Sequence, residues 1–392
     1  NNTTGYSNIF IGEKAGESNT TGYKNTVVGR LALNSNTTGA QNTAVGMETL
    51  QVNTADNNTA VGYQALEENT SGAQNTAIGV QSLDENTTAS ENTAVGYAAL
   101  GVNTTGTLNT AVGSRALDAN TTANNNTAVG YSALSASTTA TDLTAVGSNA
   151  LLQNTTGNNN TAVGKDTLQA NTTGINNAAL GAFALDANTT GERNTAVGIS
   201  ALGSNTTADH NTACGFDALL ANTTGVQNTA VGSRAIDANP TGNDNTALGF
   251  EALSDNTTAS NNTGIGHQAL KANTTGTRNT ALGTRALDVA TTSTDNTALG
   301  YNTLGSCTTG SENTLVGSAA GTAITTGTHC VAIGYVALNE NTTSSNIVAV
   351  GNECLQKNTG PENAALGFQA LEENTTGTRN TGLENYALTD QT

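Results

Sequence analysis

Tryptophan is absent from the 392 residues, methionine occurs once and proline twice. Aromatic residues make up 3% of the chain and charged residues 11%, against ~25% charged in an ordinary globular domain. So little proline excludes a collagen or a proline-rich linker, and so little charge excludes a coiled coil or a disordered polyelectrolyte. The 12 Lys and Arg residues are scattered, so no basic cluster exists to neutralise phosphates, and nucleic acid is not an expected partner. No run of ~18 apolar residues is present to insert into a membrane as a helix. The four cysteines (Cys214, Cys307, Cys330, Cys354) include no CxxC pair, which argues against a disulfide framework or a zinc site. Without an initiating Met or a signal peptide, the chain reads as a mature product or an excised segment.

What is present is 35% hydrophobic residues, 44 glycines, a net charge of −18 and one short pattern repeated from end to end. The consensus is N-T-A-V-G-x-x-A-L-x-x-N-T-T-G-x-x, numbered here as columns 1 to 17, and it occurs 23 times. The column 5 glycines recur every 17 residues except between Gly46 and Gly62 and between Gly351 and Gly367, where the spacing is 16. Column 1 is Asn in 20 copies, the exceptions being Leu143, Cys330 and Ile347. Column 9 is Leu or Ile in 21, the exceptions being Gly16 and Gly321.

A copy is too short for two helices and lacks a helical apolar period. Columns 2–4 (T-A-V) and 7–9 (x-A-L) read as two short strands with a bend at the column 5 glycine. Columns 12–17 read as a turn, where both one-residue deletions and both prolines, Pro240 and Pro361, fall. Strand, bend, strand and turn repeated in register specify an all-β fold, a parallel β-solenoid of about 23 coils of 17 residues. It is expected to form one continuous repeat over residues 1–392 with no separate domains. At ~4.8 Å per coil the rod would be roughly 110 Å long, with columns 1 and 12 stacked as asparagine ladders.

Adjacent columns 3 and 4 are both apolar, as are columns 8 and 9, so each strand calls for cover on both faces. The aliphatics of columns 4 and 9, such as Val112 and Leu117, are expected to fill the coil. The alanines would then form an outward stripe buried by association with other copies. The final copy carries Glu384 in place of the bend glycine, and a less regular coil is expected after Gly367.

The segments NTAVGYQALEENTSGAQ (Asn58–Gln74) and NIFIGEKAGESNTTGYK (Asn8–Lys24) resemble the tandem repeats of phage tail-fibre-type and bacterial surface fibre proteins, which often end in an endosialidase-type intramolecular chaperone. The core is also similar to the head repeats of trimeric autotransporter adhesins. The resemblance covers the whole chain and implies a left-handed, homotrimeric β-roll in an extracellular fibre. Neither a chaperone domain nor a membrane anchor is recognisable in this sequence.

The residues offer few candidates for chemistry. His210 and His329 fall in column 17 and His267 in column 6, far apart, and no Ser-His-Asp or paired-carboxylate unit stands out. No catalytic, metal-binding or cofactor-binding residue is assigned and no cofactor is expected. Fourteen of the 30 acidic residues occupy columns 10 and 11, among them Glu67, Glu68, Asp84, Glu85, Asp118 and Asp390; they read as a solvated edge rather than a calcium site. Column 6 collects aromatics: Tyr63, Tyr97, Tyr131, Phe216, Phe250, Tyr301, Tyr335 and Phe368. Packing over column 9 or a neighbouring chain is the simpler role for these rings, and stacking on sugars the alternative. The threonines could order ice-like water only from alternate positions of one strand, which the reading above does not provide. N-T-T triplets such as those at Asn86 and Asn188 match glycosylation sequons but are explained as turn chemistry. The sequence therefore reads as a non-enzymatic fibre shaft, extracellular or on a virion, partnered by copies of itself and by cell-surface glycan. The rival readings are a glycan-binding adhesin or an ice-binding solenoid.

Overall fold

The computed structural model describes residues 2–388. It is an all-β parallel solenoid with 23 three-residue strands, from β1 (Ile9–Ile11) to β23 (Thr381–Leu383), one per copy of the repeat. The chain forms two compact units that divide between Asn194 and Thr195. In the first unit, consecutive strands pair in parallel with equivalent columns opposed; Ala111 of β7 (Thr110–Val112) faces Ala128 of β8 (Thr127–Val129). In the second unit the rule is the same, with Ala213 of β13 (Thr212–Cys214) facing Ala230 of β14 (Thr229–Val231). The 16-residue copies keep this register, pairing Thr43 with Thr59 and Val348 with Ala364, because the missing residue comes out of the turn.

Two expectations are corrected. First, each copy has one strand, not two. Columns 7–9 do not form a strand because columns 7 and 9 lie in the left-handed region, as at Gln64 (φ 55°) and Leu66 (φ 55°). That alternation turns successive N–H groups to opposite sides. Gln64 donates to Met47 O of the coil before (3.1 Å), and Leu66 donates to Ser82 O of the coil after (3.0 Å). The segment thus joins both neighbouring coils without extended backbone.

Second, the alanines are inside and the column 4 aliphatics are outside. Ala111, Ala116 and Leu117 are fully buried, while Val112 is half-exposed. Columns 1 and 3 point inward and columns 2 and 4 outward, as strand alternation requires. The reason is space. The column 9 leucine fills the room above column 3: a Cβ built on Gly264 would lie 3.4 Å from Leu253 Cγ and Cδ1. A small residue fits there; the one valine in column 3, the buried Val27, follows the coil whose column 9 is Gly16 rather than leucine.

Two copies invert the arrangement. Where column 9 is Gly16, column 3 is Phe10; where column 9 is Gly321, column 3 is Leu315. A Cβ on Gly16 would come within 2.5 Å of the Phe10 ring, and one on Gly321 within 2.2 Å of Leu315 Cδ2. Most coils thus hold one large and one small side chain, from either position; the coil of Val27 and Leu33 buries two large ones above Gly16.

The bend glycine is required twice over. At Gly96 φ is +136°, which disfavours an L side chain, and a Cβ would meet Gly113 O of the next coil at 2.5 Å. Glu384 replaces this glycine in the copy that carries β23, over which no described coil lies, and takes φ of 103°. That copy keeps its strand register, Ala364 of β22 (Ala364–Leu366) facing Thr381, but Asn380 in column 1 is half-exposed, as Asn8 is in the first copy, where the column 1 residues of the copies between are buried.

Candidate functional site

The interior of the coil is occupied by two asparagine columns. In most copies the column 12 amide donates to the Oδ1 of the asparagine one coil earlier and to a carbonyl three residues on. Asn86 donates to Asn69 Oδ1 (2.7 Å) and Ala89 O (3.0 Å), and Asn103 continues to Asn86 Oδ1 (3.1 Å). In column 1 the Oδ1 accepts the backbone N–H of the next asparagine, as from Asn109 N to Asn92 Oδ1 (3.0 Å). The Asn109 amide donates to Ala123 O (2.8 Å). Both columns are buried. The sequon nitrogens, Asn86 and Asn188 among them, therefore lie in the solenoid interior, where no glycan has room.

The column 12 ladder has ends. Asn120 is followed by Ser137, and Asn273 by Ala290; Asn120 Oδ1 and Asn273 Oδ1 are then buried without a hydrogen-bond partner. Beyond Ala290 the column continues as Cys307 and Ile324, and Cys330 and Ile347 stand in column 1. Cys307, Cys330 and Cys354 are buried free thiols, each pushed up to about 11 by burial, so they are poor nucleophiles. Cys214 is also free, is exposed and lies on the outward side of β13.

The outward face of each strand carries Thr in column 2 and an aliphatic in column 4. Column 4 is Val, Ile, Leu or Cys in all 23 copies, and none of these residues is buried; Leu180, Leu248 and Leu366 are 51%, 46% and 53% exposed. Within each unit, this exposed apolar column was not anticipated. The coupled exceptions Phe10/Gly16 and Leu315/Gly321 were the signal for it, because they place column 3 in the core. Column 2 threonine and the column 4 aliphatic share the outward face, so threonine itself does not fill alternate positions of the strand.

Around the bend lie the column 6 aromatics. Seven of the eight are exposed, so they do not pack into the coil over column 9; Phe368 is half-buried and meets Tyr386 edge-on at 5.3 Å. Phe250 stacks on His267 at 5.6 Å.

Column 10 is less solvated than expected. Asp84, Asp118, Asp186, Asp237 and Asp288 are half-buried, and burial pushes each carboxyl upward. Asp84 reaches about 6, pushed by burial first and then by the charges of Glu85 and Glu68. Asp84 Oδ1, Asp118 Oδ1 and Asp288 Oδ1 are buried with no hydrogen-bond donor. Column 11 neighbours such as Glu68 and Glu85 are exposed, while Asp390 lies outside the described residues.

Elsewhere the charges pair locally. Lys271 contacts Glu251 at 2.6 Å and holds its carboxyl below the usual range with the help of Gln268. His329 Nε2 meets Glu312 at 2.8 Å. The three histidines remain on separate coils, and among the described residues no group of three or more His, Cys, Asp or Glu side chains is placed to hold a metal ion. Among the described residues no helix is long and apolar enough to cross a membrane. Comparison of the chain with known protein families, with curated protein sequences and with solved structures finds no match, so the functional reading rests on the coil itself.

Proposed function

We propose that the chain is a non-enzymatic structural solenoid, a stiff spacer in the shaft of an extracellular or virion-surface fibre, which assembles with copies of itself into a left-handed homotrimer. The observation that carries this reading is the column 4 stripe: an outward Val, Ile, Leu or Cys in every copy, beside an outward column 2 that is Thr in 18 of 23. A contiguous apolar surface of this kind favours burial against a partner. A second copy has the same ~4.8 Å coil pitch, so its side chains mesh coil after coil, which an unrelated surface would not do. The threefold count, the handedness and the location follow from the fibre resemblance of the repeat.

The test is the mass in solution, with Cys214 as a natural reporter because it sits on the stripe. Light scattering should give three chain masses, and a short bismaleimide should link chains through Cys214, with no product from Cys214→Ala. A stable monomer of 39.2 kDa at micromolar concentration overturns the assembly. It would leave the Thr–aliphatic face open to water, and thermal hysteresis would then test for ice binding.

A further inference from the structure

The column 6 aromatics follow a rule that coil packing does not require. No two of the eight occupy adjacent coils. In the first unit Tyr63, Tyr97 and Tyr131 alternate with Val80 and Ser114, so the rings recur every second coil, roughly 10 Å apart. Rings on adjacent coils can stack in this fold, as Tyr6 and Tyr23 do at 5.0 Å with planes 9° apart. Self-stacking would therefore favour neighbours; column 6 of the second unit uses it where Phe250 meets His267 at 5.6 Å, and the Tyr63–Tyr97–Tyr131 row of the first unit does not. Tyr63, Tyr97 and Tyr131 are 39%, 50% and 56% exposed, and among the described residues none of the three has a ring partner.

From this spacing we infer that the Tyr63–Tyr97–Tyr131 row is a binding platform for an extended, uncharged β-1,4-linked polysaccharide of the cellulose and chitin class. In such a chain alternate sugars present the same face, at a repeat close to two coils of this solenoid. Each ring then stacks on every second sugar, using the apolar face of the pyranose. Beside Tyr63 lie polar side chains that suit sugar hydroxyls: Gln64 Nε2 reaches Glu48 Oε2 and Gln81 Nε2 reaches Gln64 Oε1, both at 3.4 Å, contacts long enough to yield to a ligand. The net charge of −18 disfavours anionic glycans and leaves neutral ones. The inference goes beyond the shaft reading and does not depend on it.

The experiment is depletion of the full chain from solution by microcrystalline cellulose and by β-chitin, with granular starch as the helical α-1,4 comparison. Binding to cellulose or chitin, and at least tenfold weaker binding to starch, is expected; the two arms identify the sugar. Tyr97→Ala should weaken binding at least tenfold, and Tyr63→Ala/Tyr97→Ala/Tyr131→Ala should abolish it. Tyr97→Ala/Ser114→Tyr keeps the number of rings but breaks their spacing, and should bind no better than Tyr97→Ala. Circular dichroism confirms that each exposed-site variant folds. No depletion by either polysaccharide, equal binding to starch, or full binding by the triple or the ring-shifted variant overturns the inference.

Discussion

A leucine in the left-handed region in 20 of the 23 copies is the residue-scale feature that most shapes this protein. Leu117 sits at φ of 55°, a conformation that costs an L-residue about 1–2 kcal/mol, and burial of its side chain offsets this by about 1.5–3 kcal/mol. The leucine in turn limits column 3 to a small residue, and the pair Leu315/Gly321 shows the limit working in reverse. Leu315→Ala should destabilise by about 2–5 kcal/mol, the usual range for an emptied core site. Gly321→Leu alone should clash. The double variant restores the Ala–Leu pattern of most other coils and should recover most of the loss, as contacting sites do. Thermal unfolding of the four proteins checks this, and additive losses would refute it. Asp84 supplies a second residue-scale prediction. Its folded pKa of about 6 lies above the ordinary carboxylate value, so the folded state binds the extra proton. Stability from this group is therefore lost as pH rises from about 4 to about 6. Asp84→Asn should raise the unfolding temperature at pH 7.5, with the gain vanishing near pH 4; a gain that persists at pH 4 would show that charge is not the cause.

At the scale of the coil, the period alone made the solenoid legible, because an unbroken 17-residue register with Gly, Asn and Thr at fixed places admits little else. The asparagine ladders were legible for the same reason. The inside and outside of the strand were not. Val is larger and more apolar than Ala, so volume pointed it inward, and only the exceptions at Phe10 and Leu315 carried the opposite information. The second strand was misread because nothing in x-A-L signals left-handed backbone; leucine is among the residues least expected there. Column 6 was legible as a cluster, but the exposure of its rings was not. The ladders support an element-scale prediction. Asn239 donates to Asn222 Oδ1 and Gly242 O and accepts from Gly242 N and Asn256 Nδ2. Asn273, at a ladder end, donates to Asn256 Oδ1 and Gly276 O, and its own oxygen accepts nothing. Asn239→Ala should therefore cost more than Asn273→Ala, by about 1–3 kcal/mol for two further bonds. Equal shifts in the thermal midpoint would show that the ladder does not act as a connected unit.

For the whole molecule, neighbouring residues on one strand would separate folding from the proposed assembly. Ala111 is enclosed in the coil, so Ala111→Asp buries an unpaired charge and should unfold the surrounding coils. Val112 is half-exposed, so Val112→Asp should leave the circular dichroism spectrum intact while lowering the mass in solution. If Val112→Asp leaves the mass unchanged, column 4 is not the surface that joins chains.

The asparagine columns bear on how the protein ages. Deamidation needs the backbone nitrogen after an asparagine to swing onto the side-chain carbon. After Asn103 that nitrogen is held by Thr121 O at 2.9 Å, and after Asn109 by Asn126 O at 2.8 Å. The same coil-to-coil bonds that set the register thus keep the most asparagine-rich part of the chain from its commonest spontaneous chemical decay. Peptide mapping after long incubation at alkaline pH should find Asn103 and Asn109 intact in the folded chain and converted in urea. Equal conversion would mean that the coils open often, and each event would leave a carboxylate where the interior offers no counter-charge, so one lesion would loosen the next coil and wear would spread along the ladder.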